Sequence, residues 1–316
     1  MSEKPNLIVI TGPTATGKTA LGVAVAKALN GEVVGADSMQ IYRHMDIGTA
    51  KPMPEEMENI PHHMVDMVSP LESFSVSRYV EQATRVVDDI LARGKVPIVV
   101  GGTGLYIDSL LSGREFAETE SDAKIRSMLE QQYDAHGGEV LLQMLRSIDP
   151  ERAEKLHPAD KRRIVRAIEI FLLTGETMTA HDEKTRQQPK RYNALEYALE
   201  FADRADLYQR IDLRVDRMAL LGLFDEVEAL LEAGVPKDCT AMQAIGYKEI
   251  VQAFDGEMTR QEALTRIKQS SRQYAKRQLT WLRRNEAIHW ILWEKTPDFS
   301  AGLQNATEFL LSAGVC

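Results

Sequence analysis

A glycine-rich loop with a lysine and a threonine is the part of the sequence that points most directly to chemistry. Residues Gly12 to Thr19 read G-P-T-A-T-G-K-T, follow the apolar run Leu7–Ile10 and precede a helical pattern over Ala20–Leu29. A loop between a strand and a helix can turn its backbone N–H groups toward an anion, and the helix N-terminus adds the positive end of its dipole. Lys18 supplies a charge, and the neighbouring threonine hydroxyl can ligate Mg²⁺. The pattern predicts a site for a polyphosphate or diphosphate and leaves the reaction open.

A carboxylate follows the second apolar run. Asp37 comes directly after Val33–Gly35, within the segment Ala36-Asp37-Ser38-Met39-Gln40. Because ligands of open α/β sheets bind at the carboxyl ends of the strands, we expect Asp37 to face the phosphate loop. It can act there as a Mg²⁺ ligand, a general base or a cap of the following turn, and position alone leaves these roles open.

A glycine-rich turn follows the third apolar run, Pro97–Val100. The sequence continues Gly101-Gly102-Thr103-Gly104, where nucleotide-hydrolysing enzymes often place an acidic Mg²⁺ ligand. Glycines permit close backbone approach and the Thr103 hydroxyl is a neutral donor, so the turn suits a leaving diphosphate better than γ-phosphate hydrolysis. A tight strand-to-helix turn without a ligand is the alternative for Gly101 and Gly104.

Basic residues are concentrated in two segments of an otherwise acidic chain, whose net charge is −9. Segment 260–284 has eight basic residues and one acidic residue, and segment 151–166 has six basic and three acidic residues. In the former, Tyr274 and Trp281 are interleaved with charges at near-helical spacing. This pattern favours contact with single-stranded RNA, whereas a solvated basic helix is the simpler alternative.

Two further pairs of residues have alternative interpretations. His62 and His63 are adjacent, and neighbours in an extended segment point in opposite directions, so we do not expect them to share a metal ion. Arg214 and Arg217 follow the fourth apolar run, where an arginine that reaches the crevice would bind a phosphate through two hydrogen bonds. A solvated helix face is an equal alternative for either arginine.

The apolar runs alternate with helical patterns, which predicts an α/β fold with a P-loop NTPase-like, doubly wound parallel sheet. The strand patterns are Leu7–Ile10, Val33–Gly35, Pro97–Val100, Leu195–Phe201 and Ile288–Leu292. The helical patterns include Val76–Ala92, Asp122–Asp134, Glu139–Ser147, Lys161–Leu173 and Ala205–Leu231. We predict a helical insertion domain over 115–191, with Thr179–Arg191 as its exit linker, inside a catalytic core formed by 1–114 and 192–316.

The bulk composition is that of an ordinary globular protein, with 44% hydrophobic and 27% charged residues among 316. No apolar run approaches the roughly 18 residues of a membrane span, and no signal-like segment precedes Leu7. Cys239 and Cys316 are far apart, so neither a disulfide framework nor a zinc cluster is indicated. We expect a cytoplasmic protein without a membrane partner, and we expect a monomer.

These motifs, in this order, closely resemble those of the tRNA dimethylallyltransferases, also called tRNA isopentenyltransferases, and particularly of their bacterial members. The matching segments cover nearly the whole chain and read GPTATGKT, ADSMQIYRHMDIGTAKP, PHHMVD, GGTGLYI, RRIVRAIEI, RVDRM, AMQAIGYKE and RQYAKRQLTW. One departure is Ala159, where the family often has asparagine.

The resemblance implies that the dimethylallyl group of dimethylallyl diphosphate moves to N6 of the adenosine 3′ to the anticodon, with release of diphosphate and with Mg²⁺ as cofactor, held by Thr19. It assigns catalysis to Asp37 and Thr103. The diphosphate would be bound by Arg214, in preference to Arg217, and by the loop residues Gly12, Pro13, Thr14, Ala15, Thr16, Gly17, Lys18 and Thr19. Contacts with the anticodon stem-loop of tRNA are implied for Asp37, Ser38, Met39, Gln40, Lys161, Arg162, Arg163, Gln243, Arg272, Lys276, Arg277 and Arg283.

Alternative functions do without an RNA substrate or without catalysis. An adenylate prenyltransferase or a small-molecule P-loop kinase would leave both basic segments without a partner, and a non-catalytic RNA-binding protein would leave Asp37 and the Gly101–Gly104 turn unexplained. The loop alone suggests ATP or GTP. Beside an acid-free turn and two basic segments, it is better interpreted as a grip for the diphosphate of an alkyl donor.

Overall fold

Six parallel strands form one sheet in the computed structural model, which describes residues 4–113, 122–187 and 189–312. The strands are β1 (Asn6–Thr11), β2 (Gly31–Gly35), β3 (His62–His63), β4 (Val96–Val100), β5 (Asn193–Phe201) and β6 (His289–Trp293). Their spatial order is β3-β2-β4-β1-β5-β6, and every neighbouring pair is parallel. The predicted fold class is therefore confirmed.

The chain divides into two compact units, one formed by Met1–Leu111 with Arg191–Cys316 and the other by Ser112–Lys190. The predicted domain boundary between residues 114 and 115 lies outside the described residues, as does Cys316.

Among the helices of the described ranges, none has the length and apolar character needed to cross a bilayer. In chain order the helices are α1 (Lys18–Ala28), α2 (Pro54–Met57), α3 (Val76–Ala92), α4 (Gly104–Leu111), α5 (Ala123–His136), α6 (Gly138–Ile148), α7 (Pro150–Glu154), α8 (Lys161–Thr174), α9 (Met178–Gln187), α10 (Arg204–Leu220), α11 (Leu223–Glu232), α12 (Tyr247–Phe254), α13 (Arg260–Leu282) and α14 (Phe299–Ser312).

Alternate residues of the central strand β1 pack on opposite faces of the sheet. Ile8 and Ile10 join an apolar cluster with residues of α1, α10, α13 and α14, whereas Leu7 and Val9 join a cluster with α3 and α4. All four side chains are fully buried, and each such burial contributes about 1.5–3 kcal/mol. The carboxyl end of β1, where the glycine-rich loop begins, is thus held from both faces.

A third apolar cluster supports the segment that follows Asp37. Ile41 and Met45 are fully buried against residues of α10, α11 and α12. The Glu226 carboxylate of α11 accepts hydrogen bonds from three consecutive backbone N–H groups, those of residues 46, 47 and 48, at 2.7, 2.7 and 3.0 Å. A carboxylate that satisfies three backbone donors holds this segment in one conformation.

The second unit has an apolar core of its own, formed by Leu129, Leu141, Leu145, Ile164 and Ile168. Its members come from α5, α6 and α8, whose helical patterns the sequence predicts within a few residues. In the same unit a fully buried carboxylate, that of Glu169, accepts hydrogen bonds from Arg126 at 2.8 Å and Arg166 at 2.9 Å.

Two sequence predictions about elements are wrong, and one short strand was missed. Residues 205–231 do not form one helix, because Gly222 separates α10 from α11. Its φ angle is 98°, which residues with a Cβ atom rarely adopt. Most of the predicted linker Thr179–Arg191 is helix α9, which packs on the rest of the second unit through contacts such as Thr179 Oγ1 to Asp149 at 2.6 Å. The edge strand β3 was not predicted, because two residues give no measurable periodicity.

Candidate active site

Three loops meet at one edge of the sheet, after β1, β2 and β4. These strands are neighbours in the order β2-β4-β1, so their carboxyl ends carry the glycine-rich loop, Asp37 and the Gly101–Gly104 turn to the same place. The turn contacts the Asp37 segment directly: Thr103 N–H donates to the Ala36 carbonyl at 3.1 Å, and Ser38 N–H donates to Thr103 Oγ1 at 3.1 Å. A Cβ at Gly101 would lie 2.2 Å from the Ala36 oxygen, so only glycine permits this approach.

The glycine-rich loop is closed by its own side chains and anchored from outside. Thr16 Oγ1 and Lys18 Nζ both donate to the Pro13 carbonyl, each at 2.8 Å. From β6, Trp293 Nε1 donates to the Thr16 carbonyl at 2.8 Å, and from α10, Arg210 Nε donates to the Ala15 carbonyl at 3.2 Å. All four bonds end on carbonyl oxygens of the loop. None of them therefore occupies a backbone N–H group, which is the kind of group that binds an anion.

Lys18 and Arg214 bring two positive charges to the loop. Burial, together with the nearby charge of Arg214, lowers the pKa of Lys18 to about 7, although the Asp37 carboxylate opposes this shift. Burial also lowers the pKa of Arg214, against the attraction of Asp37 and Glu56. Arg217, by contrast, is exposed on α10. Because burial disfavours the charged form of both cations, and Arg214 disfavours that of Lys18 further, an anion with several charges would stabilise the site.

Asp37 caps the turn that follows β2. Its Oδ1 accepts the Met39 N–H at 2.9 Å, and the Gln40 N–H lies 3.4 Å from the same oxygen. Capping, one of the three predicted roles, is therefore present. It involves one carboxylate oxygen and is compatible with a second role for the group as a base.

Tyr274 of α13 is a site residue that the sequence prediction missed. Its hydroxyl hydrogen-bonds to Thr103, and burial and the negative charge of Asp37 raise its pKa to about 12. The sequence places Tyr274 among aromatic residues that could stack on RNA bases. The structure instead directs its hydroxyl to the groups at the carboxyl ends of β2 and β4.

The residues after Asp37 are arranged around the same crevice. The Ser38 hydroxyl lies 3.4 Å from Thr103 Oγ1, and Met39 packs against the apolar cluster beneath it. Gln40 uses its amide nitrogen to hold the segment downstream, donating to the Thr49 and Ala50 carbonyls at 3.1 and 3.0 Å. Only the amide oxygen of Gln40 therefore remains for contact with a substrate.

The basic residues of α13 are divided between two faces of the helix. Nη1 of Arg272 donates to both carboxylate oxygens of Asp212 at 2.6 and 2.7 Å, Arg283 pairs with Glu200 at 2.6 Å, and Lys276 lies on the same side, facing α10. On the side of the crevice, Arg277 lies over the Tyr274 ring at 5.6 Å and Arg284 over the Trp281 ring at 5.2 Å. Counting charges along the sequence could not distinguish these two groups.

The remaining predicted RNA contacts belong to a short 3-10 helix of the first unit and to α8 of the second unit. Gln243 is exposed on a short 3-10 helix, Ala241–Gln243, where its amide donates to the Lys237 carbonyl at 3.2 Å. In the second unit, Lys161 pairs with Asp134 at 2.6 Å, and Arg162 and Arg163 are exposed in the first turn of α8.

The donors present suit a metal ion that relies on its substrate for most of its ligands. In the described part of the chain, no group of three or more His, Cys, Asp or Glu side chains could hold an ion. His62 and His63 are engaged separately, with the Ile60 carbonyl at 2.8 Å and with Glu32 at 2.7 Å. Mg²⁺ commonly takes one or two protein oxygens together with phosphate oxygens and waters, and the Thr19 hydroxyl in the first turn of α1 fits that pattern.

Comparisons with known proteins show the family to which the chain belongs. The family model described as IPP transferase matches residues 40–285. The tRNA dimethylallyltransferase of Carboxydothermus hydrogenoformans is 50% identical over 290 residues, which cover 92% of each chain. That of Acetivibrio thermocellus is 46% identical over 310 residues, which cover 98% of this chain and 99% of the relative.

Solved structures give the same result for the fold. The full-length tRNA isopentenylpyrophosphate transferase of Bacillus halodurans is 40% identical, with a TM-score of 0.74 and coverage of 98% of this chain and 96% of that one. A eukaryotic dimethylallyltransferase acting on tRNA is 31% identical, with a TM-score of 0.79 and coverage of 97% of this chain and 78% of that one. The chain therefore belongs to the IPP transferase family, as the order of its sequence motifs predicts.

Proposed function

We propose that the chain transfers the dimethylallyl group of dimethylallyl diphosphate to N6 of the adenosine 3′ to the anticodon of tRNA. Family membership supports the reaction, since the relatives that cover nearly the whole chain are named for it. The observation that carries the proposal is that neighbouring strands bring the glycine-rich loop, Asp37 and the Thr103 turn to one edge of the sheet, where Ser38 N–H donates to Thr103 Oγ1 at 3.1 Å and the Asp37 charge acts on Lys18 and Arg214. One crevice thus combines a grip for a leaving diphosphate with a base for an attacking amine.

The proposed reaction forms a bond from adenine N6 to C1 of the allyl group while the C1–O bond to diphosphate breaks. An aromatic amine is a weak nucleophile, so Asp37 accepts the N6 proton as that bond develops. Lys18, Arg214 and the loop N–H groups stabilise the charge that accumulates on the departing diphosphate. Thr103 is hydrogen-bonded to the Ser38 N–H and to Tyr274, and it supplies a neutral hydroxyl beside the Asp37 segment.

Mg²⁺ fits the same arrangement as a partner of the diphosphate. Thr19 would hold it through its hydroxyl, and when bound the ion supplies further neutralisation of the leaving group's charge. The adenine must leave its stacked position in the anticodon loop to reach the crevice, so base flipping is part of the proposal.

Contact with RNA is proposed for the face of α13 that carries Arg277 and Arg284. These arginines lie over the rings of Tyr274 and Trp281, at the margin of the crevice, where a nucleotide flanking the target would pass. Arg272 and Arg283 are held by Asp212 and Glu200, so they are less available to a phosphate than the sequence pattern suggests. Arg162 and Arg163 of the second unit remain proposed contacts with the anticodon stem.

Product analysis distinguishes this function from its rivals. The protein is incubated with dimethylallyl diphosphate and either tRNA from cells that lack this activity or free AMP, and the products are identified by mass spectrometry. We expect N6-dimethylallyladenosine in the tRNA, at the position 3′ to the anticodon, and none in AMP. Transfer to AMP alone would identify an adenylate prenyltransferase, and phosphorylation of a small molecule by ATP would identify a kinase.

Replacement of Asp37 separates its capping role from its role as a base. Asp37→Asn keeps an oxygen that can accept the Met39 N–H but removes the basic carboxylate. We expect the single-turnover transfer rate to fall by about 10²–10⁴-fold, because that is the usual contribution of a general base, while the Kd for tRNA changes little. A near-normal rate for Asp37→Asn together with a slow Asp37→Ala would show that the residue acts only as a cap.

Salt dependence of tRNA binding tests the division of α13 into two faces. The Arg277→Gln, Arg284→Gln double variant should weaken binding and reduce the slope of log K against log salt by about 0.7 for each phosphate that an arginine no longer neutralises. Arg272→Gln is the matched control, because its guanidinium is already paired with Asp212. An equal decrease of affinity and slope in the control would contradict this division and show that RNA contacts both groups of basic residues, as the resemblance implies for Arg272 and Arg277.

A further inference from the structure

Gln278 of α13 joins two of the three loops that form the crevice. Its Oε1 accepts the Thr14 N–H of the glycine-rich loop at 3.0 Å, and its Nε2 donates to the Gly102 carbonyl of the turn that carries Thr103, at 2.8 Å. Gln278 is 8% exposed, so neither bond competes strongly with water. One amide thus connects chain segments that are 264 and 176 residues away from it in sequence.

The surroundings of Gln278 fit an amide closely. A Cβ at Gly102 would lie 2.3 Å from Nε2, so the turn approaches the side chain as nearly as a backbone without a side chain allows. The position requires a donor at one end and an acceptor at the other. Among side chains of this length, glutamine supplies both at any pH, glutamic acid only when protonated, and methionine neither.

The bond to Thr14 also affects which N–H groups of the loop can bind an anion. The Thr14 N–H donates to Gln278, so this group of the loop is already hydrogen-bonded and a diphosphate would be bound by other loop N–H groups. The bond to Gly102 fixes the turn against the same side chain. The Gly101 N–H also donates to the Ile10 carbonyl at 3.2 Å, where the turn and the loop leave their strands, and Gln278 joins the two segments farther along the chain, at Thr14 and Gly102.

We propose that Gln278 is a positioning residue of the transfer reaction, which sets the diphosphate loop and the Thr103 turn at the separation that transfer requires. The inference rests on the proposed function for the identity of the reaction. It goes beyond that function by giving α13 a second task, in addition to contact with RNA. Because misplacement of reacting groups by about 1 Å can cost about 10²-fold in rate, removal of the amide should affect turnover more than affinity for tRNA.

The test compares Gln278→Met with Gln278→Glu in the full-length chain. The measurements are the single-turnover rate with saturating tRNA, KM for dimethylallyl diphosphate, Kd for tRNA and for inorganic diphosphate, and thermal stability. For Gln278→Met we expect a rate decrease of about 10–100-fold, a weaker Kd for inorganic diphosphate and a Kd for tRNA within about twofold of wild type. This split would not arise from a general decrease in folded protein.

The Gln278→Glu variant provides a readout through pH. At pH 8 its carboxylate cannot donate to the Gly102 carbonyl and adds a negative charge beside the loop, so its rate should be at or below that of Gln278→Met. Burial raises a carboxyl pKa, and the protonated acid can restore both hydrogen bonds. The rate relative to wild type should therefore rise as the pH falls from 8 to 6, whereas the ratio for Gln278→Met stays flat.

Three results would overturn the proposal: a wild-type rate for Gln278→Met, a flat pH ratio for Gln278→Glu, or parallel decreases of rate and tRNA affinity in both variants. If Gln278→Met fails to fold, the pH ratio of Gln278→Glu still decides. A wild-type protein that transfers nothing to tRNA, while the variants bind inorganic diphosphate more weakly, would contradict the proposed function and leave the role of Gln278 in the loop intact.

Discussion

Two cations share the crevice at the carboxyl end of the sheet, and the site depends on holding them there. Burial lowers the pKa of both Lys18 and Arg214, the charge of Arg214 lowers that of Lys18 further, and Asp37 opposes these shifts for both. A lysine whose pKa is lowered to about 7 is poorly solvated, and the Asp37 carboxylate compensates its positive charge only in part. A diphosphate with several negative charges would stabilise the charged form of this lysine. The same electrostatic strain that lowers the stability of the empty protein thus becomes affinity for the leaving group.

The fold provides the rigidity that such a site needs. The central strand β1 is buried on both faces, and its neighbours β4 and β2 end beside it. Helix α13 then contacts two of the three loops, with Gln278 bonded to the glycine-rich loop and to Gly102, and with Tyr274 bonded to Thr103 of the same turn. Arg277 and Arg284 lie on the same side, so one helix connects the alkyl-donor site with the proposed RNA surface.

Short sequence patterns predicted those parts of the site that lie within one continuous segment of the chain. The loop from Gly12 to Thr19, the carboxylate after β2 and the acid-free turn after β4 each lie within one strand–loop–helix unit, and parallel pairing brings them together. Partners distant in sequence could not be predicted in this way. The basic residues of α13 formed one segment by composition, but Asp212 and Glu200 hold two of them on the face away from the crevice. The roles of Tyr274 and Gln278, which lie in that same segment, could not be predicted. Periodicity does not show which face of a helix contacts a loop about 170 residues or more earlier in the chain.

Proton uptake on binding of the donor tests the central electrostatic claim most directly. With the pKa of Lys18 near 7 in the free protein, most molecules carry a neutral Lys18 at pH 8 and a charged one at pH 6. Titration calorimetry with dimethylallyl diphosphate, in two buffers of different ionisation enthalpy, should detect uptake of close to one proton more at pH 8 than the Lys18→Arg variant shows, and nearly no difference at pH 6. Equal proton uptake by the wild type and Lys18→Arg at pH 8 would contradict the account, because Lys18 would then be fully charged before the diphosphate arrives.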